Sequence, residues 1–196
     1  MTLVLRKPMT LAEFLDWEDL QDQRYEFDGI QPVAMTGGTA RHELIGNALR
    51  GILRDRLRSK PCLVYGPTIK IEASGSVRYP DAFVSCGPVA GDAKIIPAPV
   101  IVFEILSPST SRTDRIVKLR EYRATNSIRQ YVILEQTSIA ATVFSREGEF
   151  WNAYALTEGD TLSMPEIGVE LVLAEIYSDV TLPVLDDRED GGSEDR

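Results

Sequence analysis

Asp81 and Glu104 stand where the surrounding sequence has no use for charge. The first lies near the head of YPDAFVSCG and the second inside VIVFEILSPST, two runs rich in Val, Ile and Phe that read as buried strands. A carboxylate in such a run is costly unless it meets a cation or a set of donors, so each acid needs a partner. One divalent ion held between them would serve both. The other potential ligands narrow its kind. The single histidine, His42, and the two cysteines, Cys62 and Cys86, show no zinc-type spacing, and the cysteines are expected simply to be buried. A hard ion held by oxygens, Mg²⁺ or Mn²⁺, is the one this inventory fits.

The elements that must position these acids follow from periodicity. Thr10 and Glu13, spaced as a capping box, open a short amphipathic helix to Trp17 with Leu11, Phe14 and Leu15 inward. RYEFDGIQPVAM reads as a hairpin about Asp28-Gly29, with Pro32 assigning its second limb to an edge. After Gly37-Gly38-Thr39, the residues Leu44, Ile45, Ala48, Leu49, Ile52, Leu53 and Leu57 recur at helical spacing from Ala40 to about Arg58. His42 lies at the N-terminal end of that buried stripe. In TIKIEA, alternation puts Ile69 and Ile71 on one face, Lys70 and Glu72 on the other. In the Glu104 run, Ile101, Phe103 and Ile105 share one face and Val102, Glu104 and Leu106 the other, the pattern of a central strand.

SPSTSRTD then marks a loop and a helix start. Asp114 to Ala124 carries Ile116, Leu119 and Tyr122, and QYVILE returns as a strand parallel to its predecessor. AATVFSR and FWNAYALT, divided by the turn EGE, are antiparallel in character, and a further segment runs through Leu173–Tyr177. The fold class is α/β in the α+β sense: a mixed central sheet flanked by helices, with an N-terminal helix-hairpin and a C-terminal antiparallel hairpin extension.

Composition bounds the function. A chain of 196 residues, 43% hydrophobic and 26% charged, is long enough for one self-sufficient core, expected over residues 1–185. No run reaches a membrane span and the N-terminus carries no secretory signal, so a cytoplasmic protein is expected. The net charge of −9 opposes nucleic-acid binding until residues 186–196 are set aside. This acidic segment, expected to be disordered, holds six acids against two arginines and leaves −5 elsewhere. Bases cluster between Arg50 and Lys60 and between Arg112 and Arg129, which permits contact with phosphates without requiring it.

Five segments in order, YPDAFV, VFEILSPST, KLREY, QYVIL and the earlier RYEFDGI with its following His42, resemble a widespread bacterial family of restriction-endonuclease-like proteins in the PD-(D/E)XK nuclease superfamily. The likeness spans roughly Thr10 to Tyr177. It implies a helix, three-stranded meander, helix, strand core, and a Mg²⁺ site built from Asp81, Glu104 and the backbone carbonyl of Ile105 for hydrolysis of nucleic-acid phosphodiesters, DNA foremost. A homodimer is the expected assembly if both strands of a duplex are cut.

One departure stands out. The superfamily's lysine follows the second acid by two residues, and that position is Leu106. Lys118 in KLREY is the candidate replacement, with an i,i+4 pair to Asp114 as its ordinary alternative. Lys70 is the runner-up. Glu26 reads as an accessory acid or as a surface residue paired with Arg24 or Arg41, and His42 as a site residue or a helix-capping one. Three readings stay open: an active endonuclease, a nuclease fold that only binds nucleic acid or a partner, and a scaffold in which Asp81 and Glu104 make structural pairs with residues such as Arg78 or Lys70.

Overall fold

A computed structural model describes residues 8–35, 37–107 and 113–183, apart from the side chain of Asp114. The segment expected as an acidic tail and most of the SPSTSRTD loop lie outside the described residues. The chain opens with α1 (Leu11–Glu18), the hairpin β1 (Tyr25–Phe27) and β2 (Pro32–Ala34), α2 (Ala40–Arg56) and β3 (Cys62–Tyr65). A second hairpin, β4 (Ile71–Ala73) and β5 (Ser76–Arg78), precedes β6 (Ala82–Cys86) and β7 (Pro99–Ile105). A π-helical segment, Thr113–Lys118, runs straight into α3 (Leu119–Ala124). Strands β8 (Gln130–Leu134), β9 (Ala140–Glu147), β10 (Phe150–Thr157), β11 (Thr161–Met164) and β12 (Val169–Val172) follow.

The helix starts are written locally. Thr10 accepts from the Glu13 amide while the Glu13 carboxylate accepts from the Thr10 amide at 2.8 Å, so the capping box forms as spaced. Thr39 caps α2 in the same way, accepting from the His42 amide. The stripe of α2 buries Ile45, Leu49 and Leu53, whereas Leu44, expected inward, is exposed.

The central sheet is ordered β10-β9-β8-β7-β6-β3, mixed because β7 and β8 alone run parallel. That pairing requires a crossover, which the π-helical turn and α3 supply. Ile101, Phe103 and Ile105 pack on the α2 face and Val102 and Leu106 on the α3 face, so β7 is apolar on both sides as its sequence required. Each fully buried Leu, Ile or Phe in these two layers contributes about 1.5–3 kcal/mol.

A second sheet, β2-β1-β5-β4, was only half legible. The Asp28-Gly29 hairpin and the edge place of Pro32 are as expected, but β5 pairs with both β4 and β1. The turn joining β4 to β5 is Ser74-Gly75, with φ of 51° and 84°, the left-handed pair that a two-residue hairpin demands. The run TIKIEA is strand only from Ile71; Lys70 makes an isolated parallel bridge to Ile95.

Two further expectations need correction. Cys62 and Cys86 are not independent buried thiols: they sit directly opposite each other on β3 and β6 and form a disulfide. The helix expected from Asp114 is π-helical over its first turn. That wider turn shifts the phase, so Ile116 is 62% exposed while Lys118 and Tyr122 point inward.

Candidate active site

The register of β6 and β7 brings the two acids together. Ala82 pairs with Phe103 in the antiparallel ladder, so Asp81, one residue before, stands opposite Glu104 on the same face. Asp81 is held through Oδ2, which accepts the Ile105 amide at 2.7 Å and lies 3.2 Å from His42 Nε2. Its backbone carbonyl accepts from Arg50 Nη1 at 2.9 Å. Arg50 crosses Gly46 and Gly66 so closely that a Cβ at either would come within 2.8 Å of it, which explains both glycines.

Glu104 is 4% exposed and Oε1 accepts from Lys118 Nζ at 2.8 Å and from the Tyr122 hydroxyl at 2.9 Å. The ammonium also lies 3.4 Å from Glu26 Oε1. Lys118, from the crossover helix, therefore brings its ammonium to Glu104 and Glu26. Leu106 is buried in the α3-side core. Lys70 does not join: its ammonium pairs with Glu18, which also accepts from the Tyr79 hydroxyl at 2.6 Å.

Glu26 is neither exposed nor paired with Arg24 or Arg41. Its Oε2 accepts from Arg78 Nη1 at 2.9 Å and its Oε1 from the Tyr79 amide at 3.2 Å. Arg78, only 1% exposed, forks onto both oxygens of Glu121 at 2.8 and 2.7 Å. A continuous buried chain of charge thus runs Glu121, Arg78, Glu26, Lys118, Glu104, drawn from β1, β5, β7 and the crossover helix. The scaffold pairing of Arg78 with Asp81 or Glu104 is absent from the described contacts; the arginine pairs with Glu121 and Glu26.

The environment sets protonation. Burial alone would raise the Glu26 carboxyl, but Lys118 and Arg78, with the Tyr79 amide, hold it below its ordinary value. Burial, with the Glu104 charge, pushes Tyr122 well above the ordinary phenol range, so it stays a donor. The hydrogen bond to Asp81 raises the His42 imidazole against the opposing pull of burial. Arg78 is raised too, its bonds to Glu121 and Glu26 overcoming burial, and remains charged.

Among the described residues no group of three or more His, Cys, Asp or Glu side chains is arranged to hold a metal ion. The β6–β7 register leaves a smaller set to consider, the facing Asp81 and Glu104 carboxylates and, next to Glu104 in the chain, the Ile105 carbonyl. A Mg²⁺-type ion, which keeps most of its waters and takes one or two carboxylates, suits so sparse a set.

Comparison with known proteins agrees with the fold. A crystal structure titled "a putative nuclease belonging to DUF820" from Anabaena variabilis ATCC 29413 superposes with a TM-score of 0.70 at 16% identity, covering 87% of this chain and 98% of that one. The chain thus has a nuclease-like α+β fold with a mixed central sheet. Residues 11–175 match the model of the Uma2 family, described as "Putative restriction endonuclease", and the chain belongs to that family. Two Synechocystis sp. (strain ATCC 27184 / PCC 6803 / Kazusa) proteins are similar along most of their length. Protein slr1290 is 28% identical over 169 residues, 84% of this chain and 89% of the relative. Protein sll1609 is 23% identical over 167 residues, 81% and 91%.

The sequence pointed to Asp81, Glu104, Ile105, Lys118, Glu26 and His42, and the fold gathers all six. The sequence set Tyr122, four residues after Lys118, beside that lysine with core packing as the ordinary reading, and did not single out Arg78, Glu121 or Arg50 for this place. Arg78 carried a signal, an arginine directly before YPDAFV in an otherwise apolar context. Glu121 and Arg50 carried none, because each lies in a charged helical stretch that reads equally well as solvated.

Proposed function

We propose that this protein is a divalent-metal-dependent nuclease that hydrolyses phosphodiester bonds in nucleic acid, with DNA the expected substrate. The observation that carries the reading is the Lys118 ammonium, brought from a separate helix onto one member of a facing carboxylate pair. The same ammonium lies 3.4 Å from Glu26, so one buried cation stands between two acids, more than a lone structural ion pair requires.

In this reading Asp81, Glu104 and the Ile105 carbonyl hold Mg²⁺ or Mn²⁺. When bound, such an ion supplies a Lewis acid for phosphoryl oxygens and acidifies water beside them. Lys118 orients the attacking water and offsets charge that builds on the scissile phosphate. Glu26 and Tyr122 fix Lys118 and Glu104 in place, and Arg78 fixes Glu26. His42 holds Asp81 Oδ2 and keeps the carboxylate turned toward Glu104. Nicking needs one such site; a double-strand cut calls for a homodimer, which a mass measurement in solution tests.

The test is cleavage of supercoiled plasmid and of single-stranded DNA and RNA with Mg²⁺, Mn²⁺ or EDTA, comparing wild type with Asp81→Ala and Glu104→Ala. The reading expects cutting that needs metal and disappears in both variants. Metal-independent cutting, or cutting that survives in the variants, refutes it. A second reading, a nuclease fold that binds but does not cut, draws on the fact that both acids are already satisfied by protein donors. Salt-sensitive binding by an inactive wild type, retained in Asp81→Ala, would select it.

A further inference from the structure

The helix that delivers Lys118 has an outer face that the proposed chemistry does not use. Lys118, Glu121 and Tyr122 turn inward. What remains outside is Arg115, Ile116, Arg120 and Arg123, which with Leu119 border a shallow apolar hollow of about 270 Å³. Arg115 is paired with Glu135. Arg120 and Arg123 pair with no carboxylate among the described residues.

This face departs from the solvated helix surface that its sequence suggests. Such surfaces alternate sign and tie their cations to i,i+4 acids. Here the helix's one acid between Arg115 and Ala124, Glu121, is buried on Arg78, so the outward charges that this stretch itself contributes are all arginines, of which Arg115 alone meets an acid, Glu135, in a chain of net charge −9. The positive face begins one turn from Lys118. From Arg115 to Arg123 it extends along the helix for at most about 12 Å, eight steps of about 1.5 Å or less.

We infer that Arg120 and Arg123 form a backbone-binding track for the nucleic-acid strand whose cleavage site lies at Lys118. The inference rests on the nuclease reading above and adds to it the surface along which the strand leaves the site. Arginine suits the task because its planar fork matches phosphate oxygens two at a time. Ile116 and Leu119 supply an apolar floor for sugar or base edges between the phosphate contacts. Contacts of this kind position the strand without reading sequence.

The test is fluorescence anisotropy of the full chain with a labelled 30-base-pair duplex and a labelled 30-nucleotide strand in EDTA, from 50 to 200 mM salt. Wild type is compared with Arg120→Gln/Arg123→Gln and with Asp81→Ala, and melting temperature serves as the control for folding. Two lost duplex contacts reduce the salt slope by about 1.8, so wild type loses about tenfold more affinity than the double variant over that fourfold salt range. Asp81→Ala keeps the wild-type slope, and cleavage by the double variant shows a raised KM with kcat unchanged. Equal slopes and affinities in wild type and double variant overturn the track while leaving the nuclease reading intact. Wild type that neither binds nor cuts overturns both. A double variant that loses affinity for poly-glutamate but not for nucleic acid assigns the face to an acidic protein and overturns the inference.

Discussion

Replacing Lys118 with Met removes an ammonium from a buried chain of charge, and the structure sets the size of the effect. Glu104 and Lys118 are 4% and 5% exposed and 2.8 Å apart. Taking one partner from a buried ion pair costs about 3–5 kcal/mol, because the remaining charge stays out of water. Tyr122 continues to donate to Glu104 and Arg78 to Glu26, which places the expected loss near the lower bound. For a domain of this size the urea midpoint should fall by about 1 M, with the slope unchanged. The assay is equilibrium urea unfolding in EDTA at pH 8 and pH 5. Protonation of Glu104 in the variant relieves the penalty, so the deficit shrinks at pH 5. Adding Glu104→Gln to Lys118→Met removes the stranded charge and restores at least half of the loss. A single variant within about 1 kcal/mol of wild type at pH 8, or a double variant no more stable than the single, would refute the view that these side chains meet as buried ions.

Three other outcomes follow. Arg78→Met strands Glu26 and Glu121 together, with an expected cost of about 4 kcal/mol or more, and Arg78→Lys recovers little because one ammonium cannot reproduce the fork; urea unfolding of both variants decides it. His42 has its pKa raised from 6.5 by Asp81. The stabilisation it brings is therefore complete below that ordinary value and lost as pH rises through the folded-state value. In EDTA the stability gap between wild type and His42→Gln should be widest near pH 6 and narrow by pH 9; a constant or widening gap contradicts this. The Cys62–Cys86 bond closes a loop across 24 residues, so reduction should lower stability by about 3 kcal/mol in the chain-entropy account. Thiol titration of the unfolded, unreduced chain should find no free thiol.

Much of the fold is legible where the controlling signal is local. The capping box at Thr10, the Asp28-Gly29 turn and the alternation in VIVFEIL each carry their own physics. The facing of Asp81 and Glu104 is less local, since residues 87–98 separate the two strands and only the register of their antiparallel pairing brings the acids level. The signals fail where the partner is remote. Nothing in YEFDG says whether the polar face of β1 meets solvent or Arg78 and Lys118, so the surface reading of Glu26 is the ordinary one. The phase of the Lys118 helix depends on a π-helical turn that has no residue signature, so periodicity alone does not show that Ile116 lies outside while Tyr122 lies inside. The disulfide needs the register of β3 against β6, which two isolated cysteines do not disclose.

Single-turnover cleavage by Lys118→Met, at a temperature where it is folded and at Mn²⁺ and DNA concentrations that saturate it, tests the central claim most directly. An ammonium carried onto the acid pair from the crossover helix predicts a rate at least about 100-fold below wild type, with metal and DNA affinities retained. A rate within a few-fold of wild type would mean that Lys118 only neutralises Glu104, and the proposed site would lose its cationic member.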